Sequence, residues 1–246
     1  MRAGSLVALH GFTGHPDAFS GLGLERLVER PFVPLALGHG PRPEVPSPTF
    51  SAEVERLADE ISALPAPRRL LGYSQGARLG LGLLTHAPSL FERAALIGAQ
   101  PGLTSLSERR VRRELEDGWI AELEAEGVSA FVDAWCKLPL FGPALDPRGL
   151  RQEQPFRWDH RKEGLIAALL VLGTSQMPNL WPRLDRVACP VELWPGALDE
   201  KFVHIAAAMA HHLPRASVVP VPGAHHNPIT DSVAQVRVRL EAWLAA

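Results

Sequence analysis

Short apolar runs alternate along the chain with longer stretches in which apolar residues recur every three or four positions. The runs predict six strands: Ser5–His10, Phe32–Leu37, Arg69–Tyr73, Ala94–Gly98, Val191–Trp194 and Ser217–Val221. The periodic stretches predict helices, among them Ser51–Leu64, His204–Leu213 and Val233–Leu244. Apolar strands separated by amphipathic helices are typical of a parallel sheet covered on both faces.

The stretch from Gly102 to about Pro182 departs from this alternation, because it has helical patterns and no convincing strand. About eighty residues are too many for an ordinary connection between two strands. Ligands of open α/β sheets bind outside the carboxyl ends of the strands. We therefore predict a core formed by residues 1–101 and 183–246, with residues 102–182 inserted as a helical lid.

A Gly72-x-Ser74-x-Gly76 motif follows the third predicted strand and precedes the helix-prone stretch Ala77–Leu84. A serine hydroxyl becomes a useful nucleophile when it is lifted clear of the backbone and offered to a base. A sharp strand-to-helix turn does this, and its glycines leave room where a Cβ would collide with the neighbouring strand or helix. The motif therefore predicts a nucleophile elbow at Ser74.

Asp199 and His225 each come directly after a late strand. The chain order Ser74, Asp199, His225 is that of the α/β-hydrolase triad. In such a triad the histidine takes the serine proton, and the aspartate holds the imidazole in the required tautomer. His225 is preferred because it follows the glycine-alanine turn at once, and the adjacent His226 is the alternative.

The first strand ends in the loop His10-Gly11-Phe12-Thr13-Gly14. In acyl-transfer enzymes of this architecture, a backbone N–H after this strand and the N–H after the nucleophile both face the developing oxyanion. Phe12 and Gln75 occupy these two positions. His10 is predicted to brace the loop, since it precedes the serine in sequence and a better-placed base comes later.

Composition narrows the class of protein. The 246 residues carry a net charge of −2 and are 46% hydrophobic, which predicts a globular protein without affinity for nucleic acid. No predicted segment is long enough to cross a bilayer and no signal peptide is recognisable, so a cytoplasmic location is expected. Cys136 and Cys189 are predicted to be buried thiols. The histidines have no ligand-like spacing, so we expect neither a metal nor a cofactor.

Several segments resemble the 2-succinyl-6-hydroxy-2,4-cyclohexadiene-1-carboxylate synthases of menaquinone biosynthesis. They are Tyr73-Ser74-x-Gly76-x-Arg78, Gln100–Leu103, Glu108–Arg113, Trp119, Phe131–Trp135, Leu138–Phe141, Gly173-Thr174 and Asp199–Phe202. The resemblance covers nearly the whole chain and implies an α/β-hydrolase fold. That fold has a mostly parallel sheet of about six to seven strands, flanked by helices, with a helical lid.

The resemblance also implies a reaction. In this family a trianionic small molecule loses pyruvate by proton abstraction and elimination, and the serine triad serves as the base system. Position by position, the substrate-binding residues would be Tyr73, Arg78, Arg112, Trp135 and Arg157. Arg161 is the alternative to Arg157.

The physical chemistry of carboxylates agrees with these assignments. Each carboxylate taken into a partly enclosed site needs a charge-assisted partner, and the planar arginine fork matches its geometry. For Arg109–Arg113 a second interpretation stays open, in which these residues form a solvated helix face. Glu108–Arg112 and Arg112–Glu116 would then be surface ion pairs four residues apart.

The chain departs from the family pattern at three places. Gln75 replaces an apolar residue, the loop Ala36–Gly40 lacks an aspartate and a proline, and the histidine turn reads Gly-Ala-His. A serine carboxylesterase or thioesterase with the same triad is therefore the alternative function. A third hypothesis is a binding protein that has lost its chemistry, which the intact Ser–Asp–His set disfavours. The sequence does not indicate an oligomeric state.

Overall fold

The computed structural model describes residues 2–40, 49–142 and 147–246. Its sheet contains six strands: β1 (Arg2–Leu9), β2 (Val28–Phe32), β3 (Arg68–Tyr73), β4 (Arg93–Ile97), β5 (Val191–Leu193) and β6 (Ala216–Val218). They lie in the order β2-β1-β3-β4-β5-β6, and every adjacent pair is parallel. The predicted sheet is thus confirmed, and its carboxyl ends share one edge.

Helices cover both faces of this sheet. They are α1 (Leu24–Leu27), α2 (Phe50–Ser62), α3 (Gln75–His86), α4 (Leu106–Trp135), α5 (Pro147–Glu153), α6 (Lys162–Leu172), α7 (Glu200–His212), α8 (Pro228–Asp231) and α9 (Val233–Ala245). The three predicted helices correspond to α2, α7 and α9. In α9, Val236 and Leu240 are buried, whereas Val233 is exposed, so the predicted apolar face begins one turn later.

The strand pleat divides the core into two layers. Val7 and Leu9 of β1 pack in a cluster with apolar residues of α2, α3 and α7. Leu6 and Ala8, which point to the opposite face, pack with residues of α9. A strand with both faces buried reads as a continuous apolar run, which explains the pattern of the sequence.

The second strand was placed wrongly by the sequence pattern. The prediction was Phe32–Leu37, but β2 ends at Phe32. This strand lies at the edge of the sheet, where Pro31 removes no required ladder hydrogen bond. Beyond it, the backbone N–H of Ala36 donates to Nε2 of His10. Leu37 is fully buried, so its apolar character reflects a packed loop.

The helical segment, residues 102–182, lies between β4 and β5. Its described residues contain α4, α5 and α6 and no strand. A capping box between Ser105 and Glu108 begins α4, and Gly127, with φ of 76°, interrupts its helical backbone. Side chains of the three helices form their own apolar cluster, which includes Leu123, Phe131 and Leu165. The division into core and lid remains a prediction.

Two further expectations concern single residues and membrane spans. Cys136 and Cys189 are buried and unpaired, and burial raises the pKa of both thiols. Within the described ranges, no helix is both long enough and apolar enough to cross a bilayer.

Three histidines hold the loops beneath the carboxyl edge of the sheet. Their rings form an edge-to-face chain, with centroids 4.9 Å apart for His10 and His39 and 5.2 Å apart for His39 and His160. Each accepts a backbone N–H: His10 from Ala36, His39 from Thr13, and His160 from Gly40. An imidazole can accept only through an unprotonated nitrogen, so this arrangement requires neutral rings.

Burial favours the neutral form of two of these rings, those of His10 and His160. It lowers the pKa of His10 to about 4, against an opposing hydrogen bond with Gly11. It also lowers the pKa of His160 to about 4. His10 therefore braces the loop that follows β1, as the sequence predicted.

The lowered pKa values of His10 and His160 predict that acid destabilises the fold. In the unfolded chain their pKa is about 6.5, so as the pH falls the unfolded state takes up protons before the folded state does. The free energy of unfolding should decrease from about pH 6.5 to about pH 4, by up to ~1.4 kcal/mol per pH unit for each histidine. Urea unfolding at a series of pH values measures this slope.

Substitution of a histidine separates its contribution to this slope from that of the carboxylates. His160→Asn should flatten the slope, whereas His211→Asn, at an exposed position at the end of α7, should leave it unchanged. Equal slopes for the wild type and His160→Asn would contradict the assignment.

Candidate active site

Ser74 lies in the sharp turn between β3 and α3. Its φ of 51° and ψ of −110° are unusual for a residue with a side chain. A Cβ at Gly76 would lie 2.0 Å from the carbonyl oxygen of Leu9, and one at Gly72 would lie 2.8 Å from Cα of Ala77. Both glycines are needed for close backbone contact, as the motif predicted.

Ser74 is hydrogen-bonded to His226, not to His225. Nε2 of His226 lies 3.0 Å from Oγ of Ser74, and its Nδ1 lies 2.8 Å from Oδ2 of Asp199. The prediction of His225 was therefore wrong by one residue, and the alternative, His226, occupies the position. Ser74, His226 and Asp199 form a continuous hydrogen-bonded chain with the geometry of a catalytic triad.

The contact of His225 with Asp231 explains the error. The backbone N–H of His225 donates to Oδ2 of Asp231, and its Nδ1 lies 3.7 Å from the same carboxylate. This contact directs the His225 ring away from Ser74. The next side chain points into the site, where His226 is 3% exposed and its ring lies 4.3 Å from that of Phe202.

Two backbone N–H groups lie beside Ser74. Phe12, in the loop after β1, and Gln75, at the first position of α3, both line the same cavity. Among the described residues, neither N–H has a recorded acceptor. The amino terminus of α3 also carries a partial positive charge. Their role as donors to an oxyanion remains a prediction.

A cavity of about 290 Å³ opens above Ser74. The five predicted substrate-binding residues all line it: Tyr73, Arg78, Arg112, Trp135 and Arg157. The alternative Arg161 is not among its lining residues, and instead lies at the amino-terminal cap of α6. Burial raises the pKa of the Tyr73 phenol above its usual range, so this group stays neutral.

Arg78 is a buried cation that faces this cavity. Its Nη1 donates to the carbonyl oxygen of Leu172 at the end of α6. No carboxylate among the described residues lies within ion-pair distance of its guanidinium. Burial, and next the charge of Arg112, lower the pKa of Arg78 to about 10, so it remains protonated near neutral pH. A desolvated cation without a counter-ion favours binding of an anion.

Arg112 and Arg157 are held by polar neighbours at the cavity wall. Nε of Arg112 donates to Glu116 at 2.7 Å, and its guanidinium lies over the Trp119 ring. Arg157 donates to Gln154 at 2.6 Å and to Oγ1 of Thr13 at 3.2 Å. It links the helical segment to the loop after β1.

The remaining arginines of the Glu108–Arg113 run have other environments. Arg109 donates to the carbonyl oxygens of Ser175 and Met177, so it has a structural role. Arg110 is exposed and lies 3.9 Å from Glu114. The solvated-face interpretation therefore fits Arg110. The pair of Arg112 with Glu116 that it also expects is present, but it is not a surface pair because Glu116 is buried. The expected pair of Glu108 with Arg112 is replaced by the capping box.

Lys201 and Gln100 also line the cavity, and neither was singled out from the sequence. Both lie inside segments that carry the family resemblance, which was the available signal. Trp135 closes the aromatic wall, with its ring 5.1 Å from Phe12 and 4.9 Å from Trp119. Within the described residues, no cluster of histidine, cysteine or carboxylate side chains could hold a metal ion.

The chain is similar to several known proteins in sequence and in fold. A putative 2-succinyl-6-hydroxy-2,4-cyclohexadiene-1-carboxylate synthase of Bacillus subtilis (strain 168) is 32% identical over 235 residues, covering 90% of this chain and 83% of that protein. The structure of MenH from S. aureus is 26% identical with a TM-score of 0.89, covering 98% of this chain and 93% of that one. A thermophilic esterase from Thermogutta terrifontis is 20% identical with a TM-score of 0.79, covering 98% and 89%.

The likeness to the esterase shows a shared fold. The likeness to the synthase extends to the sequence of most of both chains. The model of the alpha/beta hydrolase family matches residues 6–238. This chain therefore belongs to the alpha/beta hydrolase family and, within it, is similar to 2-succinyl-6-hydroxy-2,4-cyclohexadiene-1-carboxylate synthases.

Proposed function

We propose that this chain is a carbon–oxygen lyase. Its substrate would be 2-succinyl-5-enolpyruvyl-6-hydroxy-3-cyclohexene-1-carboxylate, and its products pyruvate and 2-succinyl-6-hydroxy-2,4-cyclohexadiene-1-carboxylate. The observation that carries the proposal is a cationic cavity directly above a Ser–His–Asp chain. The name of the Bacillus subtilis relative supports the same reaction.

The charges of the cavity suit a substrate with several carboxylates. Four cationic side chains line it: Arg78, Arg112, Arg157 and Lys201. Among its described lining residues, Glu116 is the one carboxylate. Arginine can bind a carboxylate through two parallel hydrogen bonds. A neutral ester would leave the buried cation of Arg78 without a partner.

The triad would act as the base system. His226 accepts the proton of Ser74, and Asp199 stabilises the resulting imidazolium. Together Ser74 and His226 remove a proton from the substrate ring. The electron pair of that carbon–hydrogen bond forms the new ring double bond, and the carbon–oxygen bond to the enolpyruvyl group breaks. The group leaves as the enolate of pyruvate, which takes up the proton held by His226 and becomes pyruvate. The backbone N–H groups of Phe12 and Gln75 stabilise the negative charge that develops.

A serine esterase or thioesterase is the second candidate. His226, 3.0 Å from Ser74, would also activate the serine to form an acyl-enzyme. The N–H groups of Phe12 and Gln75 would serve that reaction as well. Pyruvate release from the proposed substrate, measured beside hydrolysis of a short-chain neutral ester, separates the two functions. The lyase proposal expects efficient pyruvate release and little ester hydrolysis, and the reverse would replace it.

The triad predicts a sharp difference between the two adjacent histidines. Ser74→Ala and His226→Ala should each lower kcat for pyruvate release by roughly 10⁴- to 10⁶-fold. The double variant should be little worse, because the two groups act as a unit. His225→Ala should retain most activity, since its ring contacts Asp231. A larger loss for His225→Ala than for His226→Ala would refute the assignment.

The cationic cavity predicts losses that depend on the substrate. Arg78→Ala and Arg112→Ala should each lower kcat/KM for pyruvate release by roughly 30- to 5,000-fold, equivalent to about 2–5 kcal/mol, because a buried carboxylate loses its partner. Lysine at either position should restore only part of the lost kcat/KM, since lysine lacks the bidentate fork of arginine.

Arg110→Ala is the matched control, because Arg110 is exposed on the same helix. Its kcat/KM should stay within about twofold of wild type, as for most surface substitutions. Unchanged pyruvate release in all three alanine variants would remove the arginines from the site and end the lyase proposal.

A further inference from the structure

Glu116 is a buried carboxylate in the wall of a cavity that is otherwise cationic. Its side chain is 2% exposed. At this place it repels an anionic substrate, and a buried carboxylate is costly without hydrogen-bond donors. Favourable contacts of Glu116 must therefore offset both the repulsion and the cost of burial.

The contacts of Glu116 join two helices of the segment. Oε1 accepts from Nε of Arg112 and from the backbone N–H of Thr174, both at 2.7 Å. Oε2 accepts from the backbone N–H and from the hydroxyl of Ser175. A Cβ at Gly173 would lie 2.6 Å from Oε2, so the approach requires glycine. Glu116 on α4 thus binds the residues that follow α6.

The same carboxylate determines how Arg112 faces the cavity. It occupies Nε and leaves the two terminal nitrogens without a recorded partner among the described residues. The face of the guanidinium lies on the Trp119 ring, 4.8 Å from its centroid. Contacts at one edge and on one face together orient the plane of the group.

We propose that Glu116 is a positioning residue, which holds Arg112 so that its terminal nitrogens face a substrate carboxylate before substrate arrives. This inference rests on the proposed function, because it needs Arg112 to bind substrate. Its benefit is that a long, flexible side chain is ordered during folding instead of during binding.

The sign of a KM change tests the proposal. If Glu116 acted only as a repelling charge, Glu116→Gln would lower KM for the anionic substrate. If it positions Arg112, Glu116→Gln should raise KM by roughly 3- to 10-fold, the range expected for ordering one long side chain, with a smaller effect on kcat. Glu114→Gln is the matched control, since Glu114 is exposed on the same helix. An unchanged or lowered KM for Glu116→Gln overturns the proposal.

A double-mutant cycle assigns the effect to Arg112. In the Arg112→Ala background, Glu116→Gln should change KM less than twofold, because the group to be positioned is gone. The single variant Arg112→Ala separates the proposed function from the positioning role of Glu116. If it leaves kcat/KM unchanged, the proposed function fails. If it lowers kcat/KM while Glu116→Gln has no effect, only the positioning role fails.

A purely structural role gives a different result. Ser175→Ala removes one donor to Glu116 without touching Arg112, so it should lower the thermal midpoint and leave KM unchanged. A rise in KM equal to that of Glu116→Gln would indicate loosening of the segment and refute specific positioning.

A measurement on the wild-type protein covers the case in which Glu116→Gln does not fold. The side-chain Nε–H signal of Arg112 in ¹⁵N NMR, assigned by its loss in Arg112→Lys, should exchange slowly with solvent in the absence of substrate. Rapid exchange there would show that Arg112 is not held in advance, and would overturn the proposal.

Discussion

Close backbone contact at the amino terminus of α3 is the constraint on which the site depends. Gly76 meets the end of β1 at a distance that admits no Cβ, so α3 starts directly against the loop after β1. Ser74 consequently adopts a strained conformation with its hydroxyl exposed to the cavity. The same contact brings the loop after β1, which contains Phe12, against the start of α3, and Phe12 and Gln75 line one cavity. The nucleophile and the two predicted donors would thus depend on one packing requirement.

The second requirement is electrostatic. The cavity holds Arg78 at the sheet side and Arg112 and Arg157 at the helical side. Arg78 and Arg157 each donate to a group of the opposite layer, whereas Arg112 is held by Glu116 of its own helix. Arg78 binds a carbonyl oxygen at the end of α6, which offers only partial negative charge. In the proposed function, a multiply charged anion would satisfy these groups, so the cationic wall would select the substrate and the triad would supply the reactivity.

The helical segment is attached to the sheet by these same charged and polar contacts. Arg157 reaches Thr13, Arg78 reaches Leu172, and Glu116 orders the residues after α6. Apolar contacts add to the attachment, because Leu172, Met177 and Leu180 pack in a core cluster of the sheet, while α4, α5 and the start of α6 form a cluster of their own. The arginines proposed to bind substrate are thus among the groups that attach this segment.

The sequence alone determined the alternating architecture, the elbow at Ser74 and, through the family resemblance, five of the residues that line the cavity, because these follow from local apolar patterns, glycine spacing and motifs. Two features were decided by tertiary structure. The end of β2 depended on the side chain of His10, which binds the backbone of a loop 26 residues away. The choice of His226 over His225 depended on Asp231, which holds the His225 backbone and turns its ring aside. Local patterns specify which residues are apolar or reactive. Which of two adjacent side chains faces the serine is set by distant partners, because a shift of one residue reverses side-chain direction without altering any local pattern.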